Sequence, residues 1–496
     1  MKLGKLLERL EVRYLNTDAE AAAETEIGEV VYDSRKVTPG AFFVCIVGAN
    51  SDGHSYLEDV FAKGAAAVLT EAGHLPENLV LPENVAVAEV PDTRIGLAYV
   101  SAAYFDYPAE KIPVIGITGT KGKTTSTYMI RSILENAGRR CGLIGTIEAI
   151  IGEKHIHASN TTPESYMIHK YLREMIDAGM DSAVMEVSSQ ALMLHRTAGI
   201  RFEIGVFTNL SPDHIGPNEH TSFEQYLECK SLLFRQCGTG IVNVDDPYVE
   251  QILEGHTCEA VTFSAKKEAD YMAEEIEHVL EQSCLGMRFL VKGKREFPVV
   301  LNVPGMFSVY NALTAIAVCG HFGIETSAIQ KALREAKVKG RIEPVKVSDE
   351  FTLMIDYAHN AMALESLLST LRDYHPKRLV AVFGCGGNRA RSRRFEMGEV
   401  SGRLADFTII TSDNPRFEEP EAIIGDIVTG IKKTDGKYMT IIDRKEAIAY
   451  AIRNGEPGDV IVLAGKGHED YQEIRGVKYP MDERVLIREI LDEGIR

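Results

Sequence analysis

The sequence predicts a three-domain α/β protein, with a central parallel-sheet P-loop domain and a Rossmann-like C-terminal domain. Three observations carry this. At roughly 150 residues per domain, 496 residues make about three domains. Near residue 110 a buried strand runs into a Gly-rich turn and then a helix, a strand-turn-helix order that alternates onward as in a parallel sheet. Beyond Gly340, four apolar strands (TLMIDYA, RLVAVFGCGG, DFTIITS and DVIVLAG) are separated by helical stretches, as in a doubly wound unit. The domains expected are 1–108, 109–338 and 339–496.

The elements follow in chain order. MKLGKLLERLEVRYL has the spacing of an amphipathic helix and lacks a signal-peptide core. GAFFVCI and AAVLT read as strands around the helix-like YLEDVFAKGA. KIPVIGIT is a buried strand, TTSTYMIRSILENAG a helix, and DSAVMEVSS and EIGVFTNL are further strands. Ligands of such sheets sit beyond the carboxyl ends of the strands, and the polar motifs fall there.

Composition narrows the function. Apolar residues make up 45% and charged residues 25%, close to globular averages. A net charge of -18 argues against general nucleic-acid binding, which needs a basic face, but leaves room for a locally positive pocket. No apolar run is long enough for membrane insertion. The eight cysteines form no C-x-x-C pair and read as reduced core thiols of a cytoplasmic protein, without a zinc site.

The strongest local signal is Gly119-Thr120-Lys121-Gly122-Lys123-Thr124-Thr125. The glycines let the backbone curl so that N–H groups point at phosphate oxygens. Lys123 can reach the β/γ-phosphates, and the Thr124 hydroxyl suits Mg²⁺. Ile117 stands where the strict Walker pattern has glycine, so this is a variant loop. Glu186 ends an apolar strand and reads as either a capped loop residue or a metal ligand. In SFEQYLECKSLLF, Lys230 shares a helical stripe with Phe223, Tyr226, Leu227, Leu233 and Phe234. On spacing alone its stem snorkels to water, the commoner case for a lysine on such a stripe. Alternatively, its nitrogen is desolvated and kept neutral, able to take up CO₂. Asp413-Asn414-Pro415-Arg416 is either a plain turn or a fork, with Arg416 for a carboxylate and Asp413 for an ammonium. Gly384-Cys385-Gly386-Gly387-Asn388-Arg389 mimics part of a dinucleotide fingerprint but lacks its third glycine.

Taken in order, these motifs resemble the Mur ligase family, in its MurE-type branch, over nearly the whole chain. Such enzymes activate a carboxylate as an acyl phosphate and let an amine attack it. The resemblance implies ATP and Mg²⁺ as cofactors, with UDP-muramoyl dipeptide and a diamino acid as substrates. It implies that Lys123, Lys230, Glu186 and His214 are catalytic. Lys230 would be an N6-carboxylysine that joins Thr124 and Glu186 around the metal. Asn311, Arg341 and Asp356 would join the loop residues at the nucleotide, with His359 in the same D-Y-A-H motif. Ser34, in Asp33-Ser34-Arg35, would meet the uridine end of the substrate. Asn160, Thr161, Thr162, Ser188 and Arg196 would contact the rest of it. Arg389, Asp413, Asn414, Pro415, Arg416, Gly465 and Glu469 would form the amino-acid pocket. D-N-P-R is the version associated with meso-diaminopimelate.

The chain departs from the family pattern at Gln190, Gly216, Asn360 and Asn388, which puts the substrate-facing rim in question. Three alternatives follow: an L-lysine-adding enzyme, a folylpolyglutamate-synthetase-like ligase, and a non-ligase P-loop NTPase module. The first-domain D-S-R segment and D-N-P-R count against the second of these.

Overall fold

A computed structural model describes residues 1–48, 51–212, 215–216, 219–281 and 284–494. The chain folds into two compact units, 1–269 with 314–324 and 270–313 with 325–496.

The first unit holds two sheets. The N-terminal one orders its strands Arg13–Tyr14, Ala86–Val90, Ala67–Glu71, Phe42–Val44 and Val30–Val31; only the first pair is antiparallel. Apolar side chains cover both faces, Leu3, Phe42 and Leu97 on one and Phe43, Val60 and Val68 on the other. This is why its strands are apolar runs without alternation. The amphipathic helix expected at the N-terminus is corrected to a single turn, Leu3–Leu6. Leu3, Leu6 and Leu7 are buried by that turn, and the chain then leaves to pair Arg13–Tyr14 with the sheet edge.

The second sheet of this unit runs Glu259–Ser264, Cys237–Asn243, Phe202–Phe207, Val114–Thr118, Ser182–Glu186 and Cys141–Ile144, all parallel. An antiparallel pair, Glu148–Ile151 and Lys154–His157, extends it. Val114–Thr118 lies between Phe202–Phe207 and Ser182–Glu186, so the loop after it opens between the ends of two neighbouring strands.

The other unit begins with an antiparallel meander, Tyr271–Glu281, Cys284–Gly293 and Phe297–Leu301, where the sequence suggested continued strand-helix alternation. Its main sheet is ordered Glu343–Val345, Thr352–Asp356, Asp459–Ala464, Arg378–Phe383, Phe407–Ile410 and Tyr438–Thr440. All pairs are parallel except the first. The four expected strands form its middle; the two short edge strands are additions. A hairpin, Tyr471–Ile474 with Val477–Pro480, follows the central strand Asp459–Ala464. Among the described residues, no helix is long and apolar enough to cross a membrane.

Candidate active site

The loop after Val114–Thr118 has its backbone held from below. Gly119 has φ 147°, and a Cβ there would lie 2.0 Å from the Thr208 hydroxyl oxygen, so no other residue fits. Gly122, at φ 87°, is the N-cap of the helix Lys123–Asn136, whose N-terminus therefore faces the loop. Asn209 fixes the curl: its carbonyl accepts from the Thr120 N–H at 2.9 Å, and its side-chain oxygen accepts from the Lys121 N–H at 3.0 Å. The Thr208 hydroxyl donates to the Lys121 carbonyl at 2.8 Å. These two residues were missed in the sequence, where they look like the polar end of a strand. The Lys123 ammonium donates to the Gly119 and Thr120 carbonyls at 2.7 and 3.1 Å.

Glu186 ends its strand buried, and its carboxylate accepts from the Thr124 hydroxyl at 3.0 Å and the Thr146 hydroxyl at 2.9 Å. The Thr146 N–H donates to the other oxygen at 2.9 Å. Thr124 and Glu186 thus bring hard oxygen ligands together at the helix N-terminus, a donor set that fits Mg²⁺.

Lys230 does not snorkel. It is 1% exposed, and its ammonium donates to the Gly119 carbonyl at 3.0 Å while lying 4.4 Å from the centre of the Tyr226 ring. The helix Phe223–Ser231 carries it there, because its apolar face packs into the core below the sheet end. The Tyr226 hydroxyl sits 3.0 Å from that of Thr120, so the same helix also braces the loop. Asp213 and His214 lie outside the described residues.

Beside the loop a cavity of about 190 Å³ brings Lys123 together with Asn160, Thr161, Thr162, Ser188 and Arg196. The Thr162 hydroxyl ties two of its walls, donating to the Glu186 carbonyl at 2.9 Å and accepting from the Ser188 N–H at 3.0 Å. Ser188 caps the short helix Ser189–Met193. Arg196 donates to the Thr162 carbonyl at 2.9 Å and pairs with Glu164 at 2.8 Å. Gln190, Glu219 and His220 complete the lining. Buried His220 contacts the Ser189 hydroxyl at 2.8 Å, a role the sequence hid inside an unusual segment. Ser34 is not in this cavity. It begins a 3-10 turn in the N-terminal sheet region, capped by Asp33, whose carboxylate Arg35 holds down to about pKa 2.

In the other unit a second cavity, of about 270 Å³, gathers Arg389, Asp413, Asn414, Arg416, Gly465 and Glu469. Tyr357, His359, Arg393 and Tyr471 share it. Pro415 is absent from its lining and stiffens the turn behind. Arg416 has a left-handed φ of 53°. Its Nε donates to Glu473 at 3.1 Å and an Nη donates to the Gly387 carbonyl at 2.7 Å. Below the pocket lies Lys466, wholly buried. Its ammonium donates to Asn414 at 2.9 Å, to Glu469 at 2.7 Å and to the Tyr471 carbonyl. The Asn414 amide then donates to the same Glu469 oxygen at 2.9 Å. Lysine can only donate, so it fixes which end of the Asn414 amide faces which partner. The i, i+3 spacing of Lys466 and Glu469 was the available signal for this pair.

Two departures from the family pattern turn out to be structural. Asn360 caps the helix Ala361–Arg372 by accepting from the Ala363 N–H at 2.8 Å. Asn388, at a left-handed φ of 53°, accepts from the Phe417 N–H at 3.1 Å. Both side chains are engaged with backbone, which corrects the expectation of an altered substrate rim there. Arg341 lies over the Tyr357 ring at 4.9 Å. Neighbouring Asp356 accepts from the Ile342 and Ala358 N–H groups, both at 2.8 Å, and burial pushes its carboxyl above the usual range.

Among the described residues one group of three metal-ligating types meets elsewhere: Asp52, His54 and His74. The His54 ring accepts from the Glu71 N–H at 2.9 Å, so its other nitrogen carries the proton that meets Asp52 at 2.5 Å. Both nitrogens are thereby used, and the group reads as a loop clasp.

The comparisons with known proteins accord with this geometry. Three family models match along the chain: "Mur ligase family, catalytic domain" over residues 26–105, "Mur ligase middle domain" over 117–319, and "Mur ligase, glutamate ligase domain" over 340–467. The chain is 43% identical over 472 residues to the UDP-N-acetylmuramoyl-L-alanyl-D-glutamate--2,6-diaminopimelate ligase of Caldanaerobacter subterraneus subsp. tengcongensis, covering 95% of each. The chain belongs to the Mur ligase family. Membership makes it an ATP-dependent, ADP-forming amide ligase of three-domain α/β architecture. A like-named relative from Clostridium tetani is 41% identical, with 99% of this chain and 100% of that one covered. A solved Mur ligase structure of the same name superposes with a TM-score of 0.71 at 28% identity, covering 100% and 99%.

Proposed function

We propose that this Mur ligase joins meso-diaminopimelate to UDP-N-acetylmuramoyl-L-alanyl-D-glutamate in peptidoglycan precursor synthesis in the cytoplasm, with domains at 1–108, 109–338 and 339–496. The observation that carries it is the cavity in which Lys123 faces Asn160, Thr161, Thr162, Ser188 and Arg196. A phosphate-handling lysine there meets the residues expected to hold a carboxylate substrate. The names of the similar ligases supply the substrates.

The γ-carboxylate oxygen of the D-glutamyl residue takes the γ-phosphoryl group of ATP, and ADP leaves. The amine nitrogen of diaminopimelate then attacks the acyl carbon and loses a proton. The carbon–oxygen bond to phosphate breaks, releasing phosphate and leaving the amide. The carboxylate and the phosphoryl groups are anionic and the attacking amine is neutral, so catalysis is mostly positioning and charge neutralisation at the phosphates. Lys123 neutralises the transferring phosphoryl oxygens, and the loop N–H groups hold the neighbouring phosphates. Thr124, Glu186 and Lys230 as a carbamate would hold Mg²⁺, which supplies further positive charge at the phosphates. Burial of Lys230 supports this, since a neutral amine is the form that takes up CO₂. His214, Asn311, Arg341 and Asp356 are assigned to catalysis and nucleotide binding on their motifs. Ser34 is assigned to the uridine end of the substrate. In the amino-acid pocket Asp413 and Glu469 receive an ammonium, and Arg389 and Arg416 receive carboxylate.

The test is ADP release with each substrate omitted in turn. Release that needs both the UDP-muramoyl dipeptide and diaminopimelate supports the reading. Release with neither, or with the amine alone, refutes it.

A further inference from the structure

Two helices of the first unit begin in contrasting ways. The helix Thr93–Tyr104 is capped by Asp92, whose carboxylate accepts from the Arg94 and Ile95 N–H groups at 2.7 and 3.0 Å. The helix Ser165–Asp177 has Glu164 at its N-cap, yet that side chain makes no capping hydrogen bond. The N-cap is where a carboxylate can accept from unpaired helix N–H groups, and Glu164 leaves them. It turns to two arginines. One of its oxygens meets the Arg196 guanidinium at 2.8 Å, and the other lies 3.7 Å from that of Arg94. Arg94 reaches on, donating to the Val47 carbonyl at 2.9 Å. Arg196 donates to the Thr162 carbonyl at 2.9 Å and lines the cavity that holds Lys123.

The chain Val47–Arg94–Glu164–Arg196 thus runs from the N-terminal sheet to the cavity wall. Its outer end has a definite place. Val47 follows Phe42–Val44 and Ser34 follows Val30–Val31, two neighbouring parallel strands, so both lie at the carboxyl edge of that sheet. Burial first, and the Glu164 carboxylate next, push the Tyr32 hydroxyl above its ordinary pKa, so Tyr32, in the turn before Ser34, is also within electrostatic reach of Glu164. The packing of the two helices does not need these charges. Tyr166 is ringed by Tyr32, Tyr104 and Phe105 at centroid distances of 5.8, 6.3 and 5.1 Å. Arg94 Nη1 and Arg196 Nε are buried with no hydrogen-bond partner among the described residues. A contact built for stability would satisfy such donors, because each orphan costs free energy. What the chain accomplishes is orientation. With two nitrogens held, Arg196 has already lost the rotamer freedom that a long side chain otherwise gives up on binding.

We infer that Glu164 and Arg94 are positioning residues that hold Arg196 ready for the anionic dipeptide substrate, anchored in the segment expected to receive its nucleotide end. This rests on the proposed contact between Arg196 and the UDP-muramoyl dipeptide and deepens it.

The test is isothermal titration calorimetry with UDP-muramoyl dipeptide, comparing wild type with Arg196→Ala, Glu164→Ala, Glu164→Gln, Arg94→Ala and the double variant Glu164→Ala/Arg196→Ala. Arg196→Ala should raise the Kd about 10- to 100-fold, the effect of losing one charge-assisted contact. Glu164→Ala should raise it about 3- to 10-fold, the cost of ordering one long side chain on binding. Glu164→Gln should recover part of that, since its amide oxygen still accepts from Arg196. Arg94→Ala, one step further out, should weaken binding about 2- to 5-fold. The double variant should match Arg196→Ala within about twofold, because Glu164 acts only through Arg196. The KM values for ATP and the amine should hold in every variant. The inference is overturned if the losses multiply in the double variant. It is overturned equally if folded Glu164→Ala and Glu164→Gln bind as tightly as wild type, or more tightly, which would show Glu164 competing with the substrate for the arginine. Wild-type binding by Arg94→Ala would overturn the part assigned to Arg94. Wild-type protein that binds no UDP-muramoyl dipeptide would refute the functional reading itself.

Discussion

Replacing Lys466 by methionine tests how the amino-acid pocket is held. The side chain is wholly buried and its three ammonium hydrogens meet three acceptors, on Asn414, Glu469 and Tyr471. Methionine fills much the same volume and removes all three bonds. Asn414 keeps a partner, because its side-chain oxygen also accepts from the Glu473 N–H at 2.9 Å. Glu469 loses its paired cation and retains the Asn414 amide. Removing one partner of a fully buried ion pair costs about 3–5 kcal/mol. The Glu469 side chain is 17% exposed, so water recovers part of this, and a loss of about 2–4 kcal/mol is expected. Hydrogen exchange read by mass spectrometry on the peptides containing Asn414 and Glu469 measures it locally. The KM for the amine should rise while those for ATP and the nucleotide substrate hold. Adding Glu469→Gln should restore much of the stability and none of the amine binding. Protection within about 0.5 kcal/mol of wild type, together with an unchanged amine KM, would refute the reasoning.

Three further outcomes are expected. Lys123→Ala should abolish ligation with the circular dichroism spectrum and urea midpoint retained; near-normal turnover in the folded variant would remove the phosphate role. Lys230→Ala should be nearly inactive and unrescued by bicarbonate, and an intact-protein mass spectrum of the wild type under CO₂ should show a carbamate that the variant lacks. His169 is buried with neither ring nitrogen bonded among the described residues, and burial pushes its pKa down to about 4. The unfolded chain then binds a proton that the folded one refuses, so stability falls as pH drops from about 6.5 to about 4, by about 3 kcal/mol in all. His169→Leu should remove that part of the urea-midpoint pH dependence; an unchanged slope would show that His169 charges without penalty.

Local patterns were legible to different depths. The phosphate loop, the strand before it and the helix after it could be read because glycine, hydroxyl and lysine spacing is itself the structure there. The four apolar strands beyond Gly340 were legible for a similar reason, being buried on both faces. The edge strand Glu343–Val345 was not, since all three residues are only half-buried and carry no pattern. The N-terminal segment has helical spacing, yet only one turn forms, because pairing with Ala86–Val90 draws the chain into a strand. On spacing alone Lys230 reads as snorkelling to water, and only the packing of its helix beneath Gly119 buries it. Lys466 carried no hint of burial, as its partners Asn414 and Tyr471 arrive from the neighbouring loop and the hairpin. Arg416 could be read as a cation at a strand end, but its left-handed backbone and its pairing with Glu473 depend on tertiary contacts.

The most direct test of the account is a competition in one vessel. Wild-type enzyme receives ATP, Mg²⁺ and UDP-N-acetylmuramoyl-L-alanyl-D-glutamate with equal meso-diaminopimelate and L-lysine, and the products are resolved by mass spectrometry while ADP is counted. The account predicts a product carrying diaminopimelate in large excess, with one ADP for each amide formed. A product carrying mainly lysine would contradict the pocket assignment, and ADP without any amide product would contradict the ligase reading as a whole.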